Sequence, residues 1–166
     1  MGPEGDLVAL RLARGCRCFA AWLGSEIAAY GWLSTASEWI GEVELEIRPG
    51  SNEAYIWNCA TLPEHRRQGN FRAVVKAITA QARTEGLTRL WIGSLDIPAA
   101  KAMAPAGFVP VLRFTSVWMS GIRWLRVRSV DGADARLLMA ARDVLGIGGR
   151  PLRLGSSMKR AERRRH

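Results

Sequence analysis

The chain has 166 residues, of which 48% are hydrophobic, and it carries a formal net charge of +9. This length and hydrophobic content predict one folded domain and exclude wholesale disorder. No apolar run approaches the roughly 20 residues that a transmembrane helix needs, and the first residues show no basic segment followed by an apolar one, so we expect a soluble cytoplasmic protein with no membrane contact.

The first 60 residues predict antiparallel strands. Residues 16–23 and 26–33 flank a Gly24-Ser25 turn and predict a β-hairpin. Residues 42–47 alternate glutamate with apolar side chains, which is typical of a half-exposed strand. A turn cluster then leads into a strand over residues 54–60.

The pattern then switches to a helical period. The apolar stripe of this predicted helix consists of Phe71, Val74, Val75, Ile78 and Ala82. Gly86 is suited to end the helix. The pattern further predicts a buried strand at 90–92, a short helix opened by Pro98, strands at 108–119 and 122–130, and a helix over 133–145. These elements predict an α/β (α+β) fold with a mixed sheet and helices on its faces.

The end of the chain is strongly basic. Residues 150–166 hold seven Lys or Arg and one Glu, so +6 of the net charge lies there. We predict a folded domain over 1–149 and a flexible basic tail over 150–166. Such a tail either contacts nucleic acid or an acidic partner, or is a solvated terminus without a specific role.

The cysteine and histidine content predicts neither a disulfide framework nor a metal site. Cys16, Cys18 and Cys59 are an odd number without a secretion signal, and the histidines are His65 and His166. No second Cys or His cluster completes a zinc-binding spacing.

A basic, glycine-containing turn joins the strand over 54–60 to the long helix. It runs over residues 62–70 and contains Arg66, Arg67 and Gly69. A helix N-terminus offers free backbone N–H groups and the positive end of the helix dipole, and glycine lets an anion approach the backbone closely. The turn therefore predicts a phosphate-binding corner.

Two motifs resemble those of the GNAT superfamily of acyl-CoA-dependent N-acyltransferases. In the family a strand ends in a Pro-x-x-Arg-x-x-Gly-x-Gly/Ala turn, and here the matching positions hold Pro63, Arg66, Gly69 and Phe71. A second motif has Asp96 for the usual Asn and Met103 for the usual Tyr, and is completed by Ala99, Gly107 and Phe108. The resemblance covers roughly residues 16–119.

The resemblance implies a mostly antiparallel central sheet flanked by helices, with a shortened N-terminal helical region. It implies acetyl-CoA or another acyl-CoA as co-substrate, with no metal. The pantetheine arm would pair with Ala60, Thr61 and Leu62. The pyrophosphate would be held by the turn residues Arg67, Gln68, Gly69, Asn70, Phe71 and Arg72. The amine of a small molecule or peptide would attack the thioester directly, without a covalent enzyme intermediate.

The candidate acid–base residues are drawn from the carboxylates and phenols near the expected cleft. Our catalytic candidates are Glu44, Tyr55 and Asp96, with Glu46, Glu53, His65 and a water relay as alternatives for the base. Alternating glutamates also fit a solvated strand face. Tyr55, Trp57 and Cys59 are predicted to share one strand face, which also fits simple packing of a helix on the sheet.

Two other functions and an assembly remain open from the sequence. The chain is alternatively a GNAT-like module that binds acyl-CoA without turnover, or a protein that binds nucleic acid through its basic tail. We also predict a homodimer, because a short N-terminal region leaves apolar sheet surface uncovered.

Overall fold

The computed structural model describes residues 5, 7–94, 101–119, 122–147 and 152–154. The chain divides into two compact units. The N-terminal unit comprises residues 1–38 and 48–109, and the C-terminal unit comprises residues 39–47 and 110–166. The predicted domain boundary at residue 149 lies outside the described residues and stays a prediction.

The elements follow one another as strands, a long helix and further strands. In chain order they are α1 (Leu7–Ala13), β1 (Arg17–Leu23), β2 (Glu26–Ser34), β3 (Glu38–Ile40), β4 (Leu45–Ile47), β5 (Glu53–Thr61), a 3₁₀ turn (Pro63–His65), α2 (Asn70–Thr84), β6 (Arg89–Ile92), a second 3₁₀ turn (Ala104–Ala106), β7 (Leu112–Met119), β8 (Ile122–Ser129), α3 (Ala135–Val144) and β9 (Leu152–Leu154). No helix among the described residues is long and apolar enough to cross a membrane.

The N-terminal unit is built on a four-stranded sheet in the order β1-β2-β5-β6. Strands β1, β2 and β5 are antiparallel, and β6 runs parallel to β5. The predicted class, a mixed and mostly antiparallel sheet with helices, is confirmed. The Pro98 start of the predicted short helix lies outside the described residues, while residues 101–103 are helical.

Helix α2 packs on one face of this sheet. Its buried residues are Val74, Val75, Ile78 and Ala82, which confirms most of the predicted stripe. The core beneath it contains Ala29, Leu33, Ala54 and Ile56. Gly31 lies among them on β2, and a Cβ built there would be 2.7 Å from the Cys59 sulfur and 3.2 Å from Val74 Cγ1. A side chain at position 31 would therefore force the core apart.

Strand β5 contains a β-bulge. The pairing with β2 jumps from Tyr30–Ala60 to Trp32–Trp57, so two residues of β5 oppose one of β2, and Asn58 has a φ of 43°. The prediction that Tyr55, Trp57 and Cys59 share one face is wrong. The extra residue turns Cys59 toward the core under α2, whereas Trp57 contacts Trp32 on the opposite face.

The C-terminal unit combines the β3–β4 pair with a second sheet in the order β7-β8-β9. Its core is formed by Leu45, Leu125 and Ile147. The predicted strand over 42–47 is shorter than expected, because residues 41–44 form a turn in which Glu44 has a φ of 50°. Within the segment predicted as a flexible tail, β9 pairs with β8, and the remaining tail residues lie outside the described residues.

Candidate active site

The sheet of the N-terminal unit opens between β5 and β6. Their parallel ladder runs from Glu53–Arg89 to Ile56–Ile92, where β6 ends. Beyond that point β5 continues to Thr61 and, among the described residues, its ladder continues with β2 alone. Among the described residues, the side of β5 that faces away from β2 has no strand ladder beyond Ile56, and we call this side the open edge.

The phase of the β2–β5 ladder determines which groups line that edge. The Leu62 N–H donates to the Ala28 carbonyl at 3.0 Å, and Thr61 lies opposite Ala29. Hydrogen-bonded and non-hydrogen-bonded pairs alternate along an antiparallel ladder, so Ala60 and Leu62 direct their main-chain groups to β2. Of the three residues predicted to pair with the pantetheine arm, Thr61 is therefore the one whose main-chain N–H and carbonyl are directed away from β2, toward the open edge.

The chain leaves this edge through a compact turn. After the 3₁₀ turn Pro63–His65, Arg67 and Gly69 both have positive φ values, of 62° and 85°. Gly69 is the N-cap residue of α2, and no side chain caps the helix. Left-handed residues of this kind turn successive N–H groups toward one side, which favours anion binding.

Side chains hold the turn in shape from within. The Gln68 side chain donates to the Glu64 carbonyl at 3.2 Å, and the Asn70 side chain donates to the His65 carbonyl at 3.0 Å. The Arg66 Nε donates to the Thr61 carbonyl at 3.3 Å, across the end of the open edge. The turn is therefore fixed by its own side chains and does not depend on a ligand for its form.

The first turn of α2 provides donors and positive charge. The first intrahelical hydrogen bond runs from the Ala73 N–H to the Gly69 carbonyl at 3.0 Å, so the N–H groups of residues 70–72 precede the helical ladder. Three exposed arginines lie in the turn and in the first turn of the helix: Arg66, Arg67 and Arg72. A Cβ at Gly69 would be 3.5 Å from Arg72 Nη2, so the bare glycine leaves room beside that guanidinium. This arrangement suits a pyrophosphate.

Most of the chain matches a protein-family model. Residues 3–108 match the family model of the acetyltransferase (GNAT) family. The chain belongs to the GNAT acetyltransferase family. This confirms the resemblance drawn from the two motifs, and acyl-CoA is the co-substrate class of the family. No curated protein sequence matches the chain.

Two solved acetyltransferase structures are similar to this chain. A putative acetyltransferase from Agrobacterium tumefaciens str. C58 shares 21% sequence identity at a TM-score of 0.50, with 72% of this chain and 78% of that chain covered. A Bacillus subtilis acetyltransferase in complex with CoA shares 20% identity at a TM-score of 0.49, with 76% and 83% covered. The likeness to the Agrobacterium protein shows the fold alone.

Of the predicted catalytic residues of this GNAT protein, Glu44 and Tyr55 lie in different units. Glu44 lies in the C-terminal unit, in the turn before β4. Tyr55 is buried in β5 of the N-terminal unit, six residues before Thr61. Asp96 lies outside the described residues. Met103, at the place of the family tyrosine, is 8% exposed and has no O–H to donate. The catalytic roles stay predictions.

Glu53, an alternative base, is engaged in the structure. Its carboxylate accepts from Arg89 Nη1 at 2.5 Å, from Trp91 Nε1 at 2.7 Å and from the Gly50 N–H at 3.2 Å. Glu53 also lies at the start of β5, whereas the open edge is at the end. These bonds indicate that Glu53 ties β5 to β6 and is not free to take a substrate proton.

His65 and Glu46 have different surroundings. His65 Nε2 lies 3.8 Å from a carboxylate oxygen of Glu26, and this nitrogen is buried. Glu46 lies on β4 in the C-terminal unit. The structure therefore places His65 in the turn itself, with its buried Nε2 near the Glu26 carboxylate.

The cysteines are poor candidates for chemistry. Burial raises the pKa of the Cys59 thiol to about 12, although the Trp32 backbone N–H opposes that rise. Burial also raises the pKa of Cys16, whose sulfur donates to Glu38 Oε1 at 3.1 Å. Neutral thiols are weak nucleophiles. Among the described residues, no three His, Cys, Asp or Glu side chains are grouped in a way that could hold a metal ion.

The sequence patterns did not identify two residues that lie near the open edge. Asn58 adopts the left-handed conformation at the bulge. Arg11 is buried beside Trp32 and Trp57, although it belongs to a seven-residue helix near the start of the chain. Asn is the residue type most tolerant of positive φ after glycine, which was the available signal for the bulge. No local pattern identifies Arg11, because its partners are distant in sequence.

Proposed function

We propose that the protein transfers an acetyl or longer acyl group from acyl-CoA to a primary amine on a small molecule or peptide. The transfer is by direct attack of the amine on the thioester, with no acyl-enzyme. Bound CoA supplies the activated acyl group. The chain's own residues bind it, orient it and place it beside the acceptor, and such positioning alone lowers the barrier by several kcal/mol, of the order of 7–11 for ideal alignment.

The observation that carries this proposal is the continuity of two complementary surfaces. At the open edge the main-chain N–H and carbonyl of Thr61 are directed away from β2, as pairing with the amides of a pantetheine arm requires, and the carbonyl also accepts from Arg66 Nε at 3.3 Å. It leads directly into the positively charged turn and the free N–H groups of α2. An elongated ligand with amides at one end and a pyrophosphate at the other matches this order.

Proton transfer is the least defined step of the proposal. An amine arrives as an ammonium ion and must lose a proton before it attacks. We propose Glu44 as the base, with Tyr55 and Asp96 as the other residues to test. Met103 has no proton to give the departing thiolate, so the proton comes from Tyr55 or from water.

Calorimetry with acetyl-CoA tests the binding site. Gly69→Glu places a side chain and a negative charge where the pyrophosphate is proposed to lie, and we expect acetyl-CoA affinity to fall at least tenfold. Gly86→Glu is the matched control. Gly86 also has a positive φ, of 75°, and a Cβ there meets nothing within 4 Å. It lies about 25 Å away at the other end of α2. Equal losses in both variants would contradict the proposed site.

Thiol release with a panel of primary amines tests the reaction. We expect turnover with at least one amine and none without an amine beyond slow hydrolysis. Micromolar acetyl-CoA binding with no thiol release from any amine would favour the alternative, a module that binds acyl-CoA without turnover. Salt-dependent binding of nucleic acid, lost on removing residues 150–166, would favour the tail-based alternative.

The proposed homodimer is tested separately. Light scattering at micromolar concentration is expected to give twice the 18.3 kDa mass of the chain. A single-chain mass would contradict the dimer and leave the acyl-CoA site unaffected.

A further inference from the structure

Helix α1 buries one residue, and that residue is charged. Arg11 is 7% exposed and is the buried residue of this helix. Its guanidinium carbon lies 4.6 Å from the ring centroid of Trp57 and 5.2 Å from that of Trp32. The two rings are 6.3 Å apart and tilted by 38°. Arg11, Trp32 and Trp57, which we call the Arg–Trp cluster, lie on the sheet face opposite α2.

The cluster sits at the point where β5 departs from β6. Trp57 is the first residue of β5 beyond the ladder with β6, and it immediately precedes Asn58. A non-glycine residue with positive φ is strained and persists only where its neighbours hold it. The cation–π contact of Arg11 with Trp57 is largely shielded from water, and it holds the residue next to Asn58 in place.

Stacking with the Arg11 guanidinium is the contact that orients the rings of Trp32 and Trp57. The indole N–H groups of Trp32 and Trp57 are buried and, in the part of the chain that the structure describes, have no hydrogen-bond partner. Hydrogen bonds from the indoles therefore do not fix the ring orientation. Removing the guanidinium would leave Trp57 with packing contacts alone, which tolerate rotation of the ring and of the backbone beside it.

We propose that Arg11 is a positioning residue for acyl-CoA. By clamping Trp57 it keeps the bulge at Asn58 in place, and the bulge in turn sets the direction of the open edge at Thr61. The inference rests on the proposed function, because it assumes that this edge binds the pantetheine arm. It assigns to α1 a role in co-substrate binding through β5, without contact between Arg11 and the co-substrate.

Two ligands separate this role from a general loss of structure. Acetyl-CoA needs both the edge and the turn, whereas 3′-phospho-ADP carries the pyrophosphate without the pantetheine arm. We expect Arg11→Met to weaken acetyl-CoA binding at least tenfold in calorimetry and to change 3′-phospho-ADP binding less than twofold. Arg11→Lys retains a cation over the rings and should recover most of the acetyl-CoA affinity.

Arg17→Met is the control for the loss of one positive charge. Arg17 is partly exposed and forms a surface ion pair with Glu85, so its removal is expected to change neither affinity by more than twofold. A long-range charge effect of Arg11→Met would weaken both ligands, because both carry the phosphates. Should Arg11→Met fail to fold, Trp57→Leu removes the other half of the contact and carries the same test.

The outcomes are distinct. Equal acetyl-CoA binding by the native chain and Arg11→Met, or parallel loss of both ligands, overturns the positioning role and leaves the proposed function standing. Absence of acetyl-CoA binding by the native chain overturns the proposed function and this role with it. Selective loss of acetyl-CoA, with rescue by Arg11→Lys, is the result that the Arg–Trp cluster predicts.

Discussion

Adding one methyl group at Gly31 tests the geometry of the bulge. A Cβ there would lie 2.7 Å from the Cys59 sulfur, 3.2 Å from Val74 Cγ1 and 3.3 Å from Ile78 Cδ1. Overpacking of this kind costs about 1–3 kcal/mol, and replacing glycine by alanine within a strand returns roughly 0.5–1 kcal/mol. We expect Gly31→Ala to lower stability by about 1–2 kcal/mol, which is a Tm decrease of about 2–8 °C for a chain of this size.

A double-mutant cycle assigns that cost to its cause. Thermal unfolding is measured for the native chain, Gly31→Ala, Cys59→Ala and the double variant. Because the sulfur is the nearest atom, removing it should reduce the cost of Gly31→Ala by about 1 kcal/mol, a coupling typical of residues in contact. Equal costs of Gly31→Ala in the two backgrounds would refute the reasoning, since Cys59 would then not face Gly31 across the bulge.

Three further predictions concern Glu53 and Cys59, which the structure sets aside as catalysts. Glu53→Ala removes the bonds to Arg89 and Trp91 and should lower stability by about 1–3 kcal/mol in urea unfolding; a stable variant without activity would instead support Glu53 as the base. Because burial raises the pKa of Cys59 to about 12, iodoacetamide at pH 8 should leave it unmodified in the native chain and modify it in urea, as read by mass spectrometry. The raised pKa also means that the stability contributed by its neutral thiol is present below pH 9 and is lost between pH 9 and 12, so Cys59→Ala should flatten the decline there. An unchanged decline would contradict the burial of the thiol.

The predictable parts of this fold depend on local patterns. The stripe of α2 is readable because a helix buries one face whatever it packs against, and the structure buries Val74, Val75 and Ile78. The form of the turn before α2 is readable because glycine is the residue that most readily adopts a positive φ at a helix start. Gly69 indeed has such a φ, and the arginines beside it are exposed.

The unpredictable parts depend on partners distant in sequence. Unbroken alternation predicts one face for Trp57 and Cys59, and one extra residue at Asn58 separates them. The role of Glu53 required Arg89 and Trp91, which are 36 and 38 residues further along the chain. The residues next to a glutamate carry no information about such partners, so the sequence offered Glu53 only as a possible base.

The interleaving of the two units has a consequence for the order in which the chain folds during synthesis. The short β3–β4 hairpin is made early, between two strands of the N-terminal unit, but most of it belongs to the C-terminal unit. Its Leu45 packs with Leu125, roughly 80 residues later, and such non-local contacts form slowly. We expect the N-terminal sheet to form on the ribosome before Leu125 has been synthesised. During that time the apolar side chains of residues 45–47 lack their packing partners and are open to a chaperone or to a second nascent chain.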